Sequence, residues 1–426
     1  MQLRLAPWIF CGIFLASSGC SSDEVGATSP ATLDASSDGP ALDAPEYDVL
    51  GTDGPVGWPE GGQDVVGMEA EPVETGPDAD LDAAHEASSD AVADVQADGG
   101  TPPFEIFVST AGDDANDGST PAKSVRTLER VHAVLKAAAP DRDVEVRIEQ
   151  GTYAGQTVNW TYYHPARTIT FMPVDYDGGG INSIAGRPVF DGEGAGALLT
   201  LNASNGERTN LSFVYLQIEG YRTYGLLFRG DRDDFEHGWN GYNRVFGCIL
   251  TRIGNLASAG AAGYGGLDLV NSRNNEIRNN HFLQVENESS SAGLMHAIYL
   301  AHGSRGNQVR ANRFVGISGD PIRVRDGSSS NEVIDNTFEE AGSSAFISDW
   351  WCDKSVNSAC TKASGECPSW ENAFRDNELH CGYAGTNIDT FRYFQGESYV
   401  PSWCVDHASV DGWARLRTSG NAKTCP

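Results

Sequence analysis

From Phe104 onward the apolar positions follow two periods in turn. Val125, Leu128, Val131, Val134 and Leu135 recur three or four residues apart, which predicts one amphipathic helix. A short run, E-I-F-V at 105–108, stands before it; V-E-V-R-I at 144–148 and T-I-T-F-M at 168–172 stand after it. From there on every apolar run is three to six residues long, too short for a helix and suited to a strand. The pattern predicts one helix followed by many short strands.

The strands repeat. Asn275-Glu-Ile-Arg-Asn-Asn280-His-Phe282 returns as Asn307-Gln-Val-Arg-Ala-Asn312-Arg-Phe314 and again as Asn331-Glu-Val-Ile-Asp-Asn336-Thr-Phe338. Asn243-Arg-Val-Phe and Asn372-Ala-Phe-Arg-Asp-Asn377-Glu-Leu379 are weaker copies of the same form, N-x-[I/V]-x-x-N-x-F. A second apolar strand lies upstream of each full copy: G-L-D-L-V (266–270), A-I-Y-L (297–300) and P-I-R-V-R (321–325), with A-F-I-S (345–348) before the last. Successive copies begin 32, 24 and 41 residues apart, as expected where loops of different length are inserted between constant strands. One such unit cannot bury its apolar face alone, whereas stacked units bury a continuous core. The spacing predicts one turn of a right-handed parallel β-helix per copy. Ile, Val and Phe stack inside it, and Asn sits at turn positions that tolerate the left-handed conformation.

These Asn–Phe copies resemble the turns of the pectate-lyase-like β-helix superfamily. The opening S-T-A-G-D-D-A-N-D-G-S-T-P (109–121), with the helix after it, resembles the N-terminal cap of many bacterial members. The resemblance covers Phe104 to Glu378. It implies an all-β fold, a single-stranded solenoid with an N-terminal capping helix, and it implies an activity only through whatever site the fold carries.

The chain of 426 residues carries 59 Asp and Glu against 29 Lys and Arg, a formal net charge of −30. No excess of cation is available to displace counterions from phosphates, so nucleic acid is excluded as a general partner. Twenty of the acids, and no Lys or Arg, lie between Ser21 and Pro103. That segment is rich in Asp, Ala, Gly, Ser and Pro and cannot bury enough apolar surface to fold. It is expected to be a solvated linker, and it has no Asp-x-Asp-x-Asp-Gly spacing for calcium. Before it, Trp8–Ala16 is too short to span a bilayer and is followed by Ser17, Ser18, Gly19 and Cys20. This resembles a bacterial lipoprotein signal in which Cys20 becomes the acylated N-terminus, with Ser17 where Leu is usual; an ordinary cleaved signal peptide is the competing reading. The expected division is a signal at 1–20, a linker at 21–103, the β-helix at 104–379 and a Cys-rich cap at 380–426. The expected location is the cell envelope, lipid-anchored to the outer membrane.

Of nine cysteines, Cys248 lies in an apolar strand and reads as a buried free thiol. Cys352, Cys360, Cys367, Cys381, Cys404 and Cys425 crowd the last 75 residues. In an exported protein that even set implies disulfides whose pairing stays open, and the lack of any C-x2-C pair speaks against zinc. Trp350, Trp351, Trp370, Trp403 and Trp413 share the region, either as a sugar-stacking wall or as the packing of a stapled cap.

Aligning the copies on their Asn residues puts Val324 over Leu300 and, with one deletion, over Leu269. Successive side chains of a strand face opposite ways. With Ile298 and Leu300 inward, Tyr299 faces out, and Arg323 and Arg325 flank an inward Val324. The outward column therefore reads Asp268, Tyr299, Arg323, with Arg325 beside it and His302 and Asp326 at the strand ends. His296 opens its strand where Asp320 stands one turn later. The insertion 286–293 falls just before His296 and the Cys-rich insertion just after Asp349, so loops flank a polar column and build a groove.

Cleaving a uronate polymer by β-elimination requires a cation at the carboxylate, a base for the α-proton and an acid for the leaving oxygen. Arg323 and Arg325 suit the first need by bidentate pairing, and Tyr299 or His296 the other two. Asp268, His302, Asp326 and Asp349 are expected to contact substrate. The resemblance implies Arg or Lys on this face and often calcium, the one cofactor it raises. A glycoside hydrolase would need two carboxylates across the scissile bond, and the Gly-His-Gly and D-P-H signatures of related β-helix enzymes are absent. A non-catalytic adhesin, or a plain ladder of solvated charges, competes with both. The expected partners are a polysaccharide and, through acyl chains, a membrane; the chain itself is expected to be a monomer.

Acylation predicts that the full-length protein partitions into detergent and that Cys20→Ala moves it to the soluble fraction, because the acyl chains supply its membrane affinity. Continued fractionation of the variant with membranes would refute the lipoprotein reading.

Overall fold

The computed structural model describes residues 101–177, 186–354, 360, 365–404 and 414–425. The signal with Cys20, and the linker up to residue 100, lie outside the described residues. Among the described residues the strands form three long sheets of ten, nine and eight strands with parallel ladders. The chain visits the sheets in rotation. Gly265–Val270 lies in the eight-stranded sheet, Glu276–Arg278 in the ten-stranded one and His281–Val285 in the nine-stranded one, after which His296–Ala301 pairs back onto Gly265–Val270. The helix, Leu128–Ala138, starts from Thr127, whose Oγ1 accepts the Arg130 N–H at 3.1 Å, and buries Leu128, Val131 and Leu135 in the same core as the first strands.

The interior is a set of like-on-like columns. Leu267, Ile298, Ile322 and Ile347 are partners in register from turn to turn, as are Leu269, Leu300 and Val324. The rings of Phe282, Phe314 and Phe338 stack at 5.1 and 4.7 Å. Parallel strands of three to six residues leave the backbone at each corner without a sheet partner, and the repeated Asn residues fill that need. Asn280 Oδ1 accepts the backbone N–H of Cys248 at 2.9 Å, Asn312 Oδ1 that of Asn280 at 2.9 Å, and Asn336 Oδ1 that of Asn312 at 2.9 Å. The ladder continues through Asn377 to Asn421. A second runs through Asn243, Asn275, Asn307, Asn331 and Asn372. Cys248 thus occupies an end position of the first ladder, buried and free.

One expectation is corrected here. The left-handed residue of each corner is not the repeat Asn but the one before it: Asn279, Ala311, Asp335 and Asp376 have φ between 52° and 58°. The ladder Asn must keep its backbone N–H on the next turn's Oδ1, so the sharp reversal falls one residue earlier.

Three disulfides join Cys352 to Cys360, Cys367 to Cys404 and Cys381 to Cys425. The parallel ladders run on past Leu379: Asp389–Tyr393, Leu416–Ser419 and Ala422–Lys423 add a further strand to each sheet. The stapled segment is therefore built onto the coil.

Asn312→Ala is expected to destabilise the protein by about 1–3 kcal/mol, because it leaves corner donors and acceptors buried without partners. Chemical unfolding of the variant against wild type measures this; a change below the error of the method would show that the ladder is dispensable.

Candidate active site

The outward column of the eight-stranded sheet reads Leu227, Asp268, Tyr299, Arg323, Ser348 and Arg392 in register. Asp268, Tyr299 and Arg323 fall in line as the repeat predicts. The column is not an open groove, however. Tyr299 is 7%, Arg323 8% and Arg325 5% exposed, and Asp268 is fully buried. One reason is the Cys-rich insertion, which folds back over Arg325, and another is the Phe394 ring, which lies over Arg323. Glu366, itself 1% exposed, accepts both arms of the Arg325 fork, with Nε to Oε2 and Nη2 to Oε1 each 2.7 Å. Trp350 stacks beneath the same guanidinium, 4.5 Å from its ring centre.

The remaining arm of Arg325, Nη1, donates to Tyr299 Oη at 3.1 Å. Arg323 donates through Nε to Ser348 Oγ at 2.7 Å and through Nη2 to Asp320 Oδ2 at 3.2 Å, and lies 4.7 Å over the Phe394 ring. His296 stands 5.2 Å from Tyr299 between ring centres, and its Nδ1 is 2.7 Å from the Asp320 carbonyl oxygen. A carbonyl only accepts, so Nδ1 carries the proton and Nε2 the lone pair. Burial, then the charge of Arg323, push the imidazole down to about 3, which keeps His296 neutral. Burial raises the Tyr299 phenol, with Arg325 opposing.

His302 and Asp326 share a left-handed corner position one turn apart, with His302 Nδ1 2.9 Å from Asp326 Oδ2. Asp326 Oδ1 accepts the N–H of Cys367 at 3.1 Å. These two residues therefore brace the insertion rather than line a groove. Ligand atoms of His302, Asp326 and Glu366 all lie within 4.8 Å of one another, the spacing of a metal site. Calcium prefers about six to eight oxygens. Here one imidazole and two carboxylates are offered, and both Glu366 oxygens already accept from Arg325. The set does not fit calcium; the guanidinium supplies the positive charge.

Asp349 is a second correction. It pairs in register with Val324, in the core-facing column, and its Oδ2 accepts from Arg415 Nη2 at 2.7 Å. The apolar run of that column ends there, with Tyr393 next in register, and Arg415 lies 5.0, 5.2 and 4.9 Å over the rings of Trp351, Trp370 and Tyr393. Those tryptophans pack the cap; Trp403 is 47% exposed, and Trp413 lies outside the described residues. Glu366 escaped the sequence reading because it sits in an insertion where no register applies.

Residues 198–367 match the family described as right handed beta helix region. Among the described residues the chain is a right-handed parallel β-helix. This β-helix is similar to solved structures of an alginate lyase from Paenibacillus sp. str. FPU-7 (15% identity, TM-score 0.40, covering 75% of this chain and 95% of that one). It is also similar to pectate lyase Pel9A (12%, 0.38, 76% and 78%) and to a pectin methylesterase from Aspergillus niger (10%, 0.37, 76% and 86%). No curated protein sequence matches the chain.

Against the cost of burial, Arg325 and then His302 hold the Glu366 carboxyl down to about 2, whereas an unfolded Glu titrates near about 4.3. The stability this contributes is complete above about pH 4.5 and is lost as pH falls toward about 2. Melting temperature is expected to drop across that window and to drop less steeply in Arg325→Met/Glu366→Leu. Equal slopes would assign the acid sensitivity to other carboxylates.

Proposed function

We propose that this β-helix acts on an acidic polysaccharide at the cell envelope and cleaves it by β-elimination beside a uronate carboxylate. The observation that carries this reading is the register of Tyr299 and Arg323. They sit one turn apart, roughly 5 Å between strands, so one sugar can touch both. Tyr299, Arg323 and His296 are 7%, 8% and 3% exposed, so the column is shielded from water, which strengthens electrostatic interactions within it.

Each requirement has a candidate. Arg323 meets the substrate carboxylate and withdraws charge from the adjacent carbon. The base takes the proton from that carbon; its electrons form the new double bond, and the C–O bond to the leaving sugar breaks. Neutral His296, with its lone pair on Nε2, is the group free to take the proton, but burial and the Arg323 charge make it a weak base until a substrate carboxylate offsets that charge. Tyr299, whose oxygen accepts from Arg325, is suited to donating one to the leaving oxygen and to carrying the resulting negative charge. An acylated Cys20 and the acidic linker would hold the domain away from a membrane surface.

A binding-only reading has one observation in its favour. Both guanidiniums are already paired, Arg325 with Glu366 and Arg323 with Asp320. Saturable glycan binding without product would support it.

Incubation of the purified full chain with uronate polymers is expected to release unsaturated fragments that absorb in the ultraviolet. Tyr299→Phe should retain binding and lose about 10²–10⁴-fold in turnover. Undiminished turnover in both Tyr299→Phe and His296→Ala would move the chemistry away from this column.

A further inference from the structure

Arg325 has three donor nitrogens, and the fold commits two of them to Glu366. Nε and Nη2 form a planar fork on Glu366, and because a guanidinium is rigid and flat this fixes the direction of the third arm, Nη1, onto Tyr299 Oη. A lysine at this position could turn freely about its stem and would aim nothing.

The carboxylate that sets this direction is itself held from several sides. The Glu366 N–H donates to the Cys352 carbonyl at 2.7 Å, and the Cys352 N–H donates back to Glu366 Oε2 at 2.9 Å. The next residue, Cys367, is bonded to Cys404, and its N–H donates to Asp326 Oδ1, so the turn carrying His302 and Asp326 grips the same loop. His302 Nδ1 and Arg232 Nη2 each lie 3.9 Å from Glu366 Oε1. Burying an ion pair sacrifices hydration that the pairing recovers only in part, and an apolar pair of similar volume often serves stability as well. A fully buried pair with this much bracing points to a role in placement.

We infer that Glu366 is a positioning residue: it orients Arg325 so that Nη1 stabilises negative charge on the Tyr299 oxygen, making a phenol–guanidinium–carboxylate relay. Arg325 then serves Tyr299 rather than the substrate carboxylate, which is left to Arg323. The inference rests on the β-elimination reading for its chemical use, but the relay is a property of the folded protein and can be measured without substrate. The charged and titratable groups facing Tyr299 are Arg325, Glu366, Arg323, His296 and, one turn before it in the same column, the buried Asp268. Arg325 favours the phenolate and Glu366 opposes it, so removing the carboxylate charge shifts the balance toward phenolate.

The test uses the full chain with disulfides intact. Phenolate absorbance is followed against pH for wild type, Glu366→Gln, Arg325→Met and Arg325→Met/Glu366→Leu, with Tyr299→Phe in each background as the blank. Charge alone would therefore lower the pH at which Tyr299 ionises in Glu366→Gln, whereas a positioning role predicts the opposite, a rise of about one pH unit as Nη1 loses its aim at the phenol oxygen. With Arg325 absent nothing is left to aim, so Arg325→Met/Glu366→Leu is expected to ionise below Arg325→Met by the direct charge of Glu366. Where a cleavable polymer has been found, Glu366→Gln should lower kcat by about tenfold or more with a smaller effect on KM. A Tyr299 titration that Glu366→Gln leaves unmoved, or moves down as charge alone would, overturns the positioning role. Should Glu366→Gln fail to fold, Glu366→Asp, which keeps the charge and shortens the reach, decides: a raised Tyr299 titration supports the role and an unmoved one overturns it. Wild-type protein that forms no unsaturated product overturns the β-elimination reading, and the Tyr299 titration then decides for or against the relay by itself.

Discussion

At two corners of the repeat a backbone N–H has left one sheet and not yet entered the next, and an asparagine side chain from the following turn reaches back to accept it. The interaction is modest singly, about 1 kcal/mol in net terms, but every rung fixes the next. Each Oδ1 takes both the backbone N–H and the side-chain amide of its neighbour: Asn312 Oδ1 accepts Asn280 N at 2.9 Å and Asn280 Nδ2 at 3.0 Å. A slip of one residue between turns would break both bonds and carry every side chain to the opposite face. The ladders therefore settle register, and register settles which residues share a column. Tyr299 lies beside Arg323 because Asn307 lies beside Asn331.

Columns alone do not make a site. The outward face of the eight-stranded sheet carries charges that a solenoid would normally leave in water, yet here they are buried. Burial of Arg325 and Arg323 is tolerable because each finds an opposite partner. Arg325 has Glu366, Arg323 has Asp320, and the two pairs are held by different segments of chain. Solvent reaches only the rim of the column. A low-dielectric pocket with fixed guanidiniums is the setting in which small changes of geometry alter proton affinity most.

The repeat made much of this legible from composition and spacing. Asn and Phe recurring eight residues wide gave the stacked strands, and alignment on Asn gave the adjacency of Asp268, Tyr299 and Arg323. The capping helix followed from its own period, and the crowding of six cysteines gave the staples without their pairing. What stayed hidden has a common physical cause. Glu366 belongs to an insertion, where neighbours are chosen by folding back and not by register. Asp349 reads as one more polar residue in a strand, but it falls where the apolar run of its column ends and pairs with Arg415. Burial of the column was invisible for the same reason, since a strand's pattern says which way a side chain points and nothing about what lies beyond it.

The two ends of the coil are closed by different means, and the difference bears on the site. At the start, a helix lays Leu128, Val131 and Leu135 over the first turn, a closure complete within the first 40 described residues. At the finish, Asp349, Arg415 and the surrounding rings of Trp351, Trp370 and Tyr393 plug the core. Arg415 comes from beyond Cys404, whereas Glu366 comes from before it, and the Cys367–Cys404 bond ties the two stretches together. The chain that supplies the plug is thus linked to the chain that supplies the carboxylate over Arg325. Closing the coil's open edge and completing the polar column are accordingly one structural event, and a β-helix truncated before this segment would lose Glu366 along with its cap.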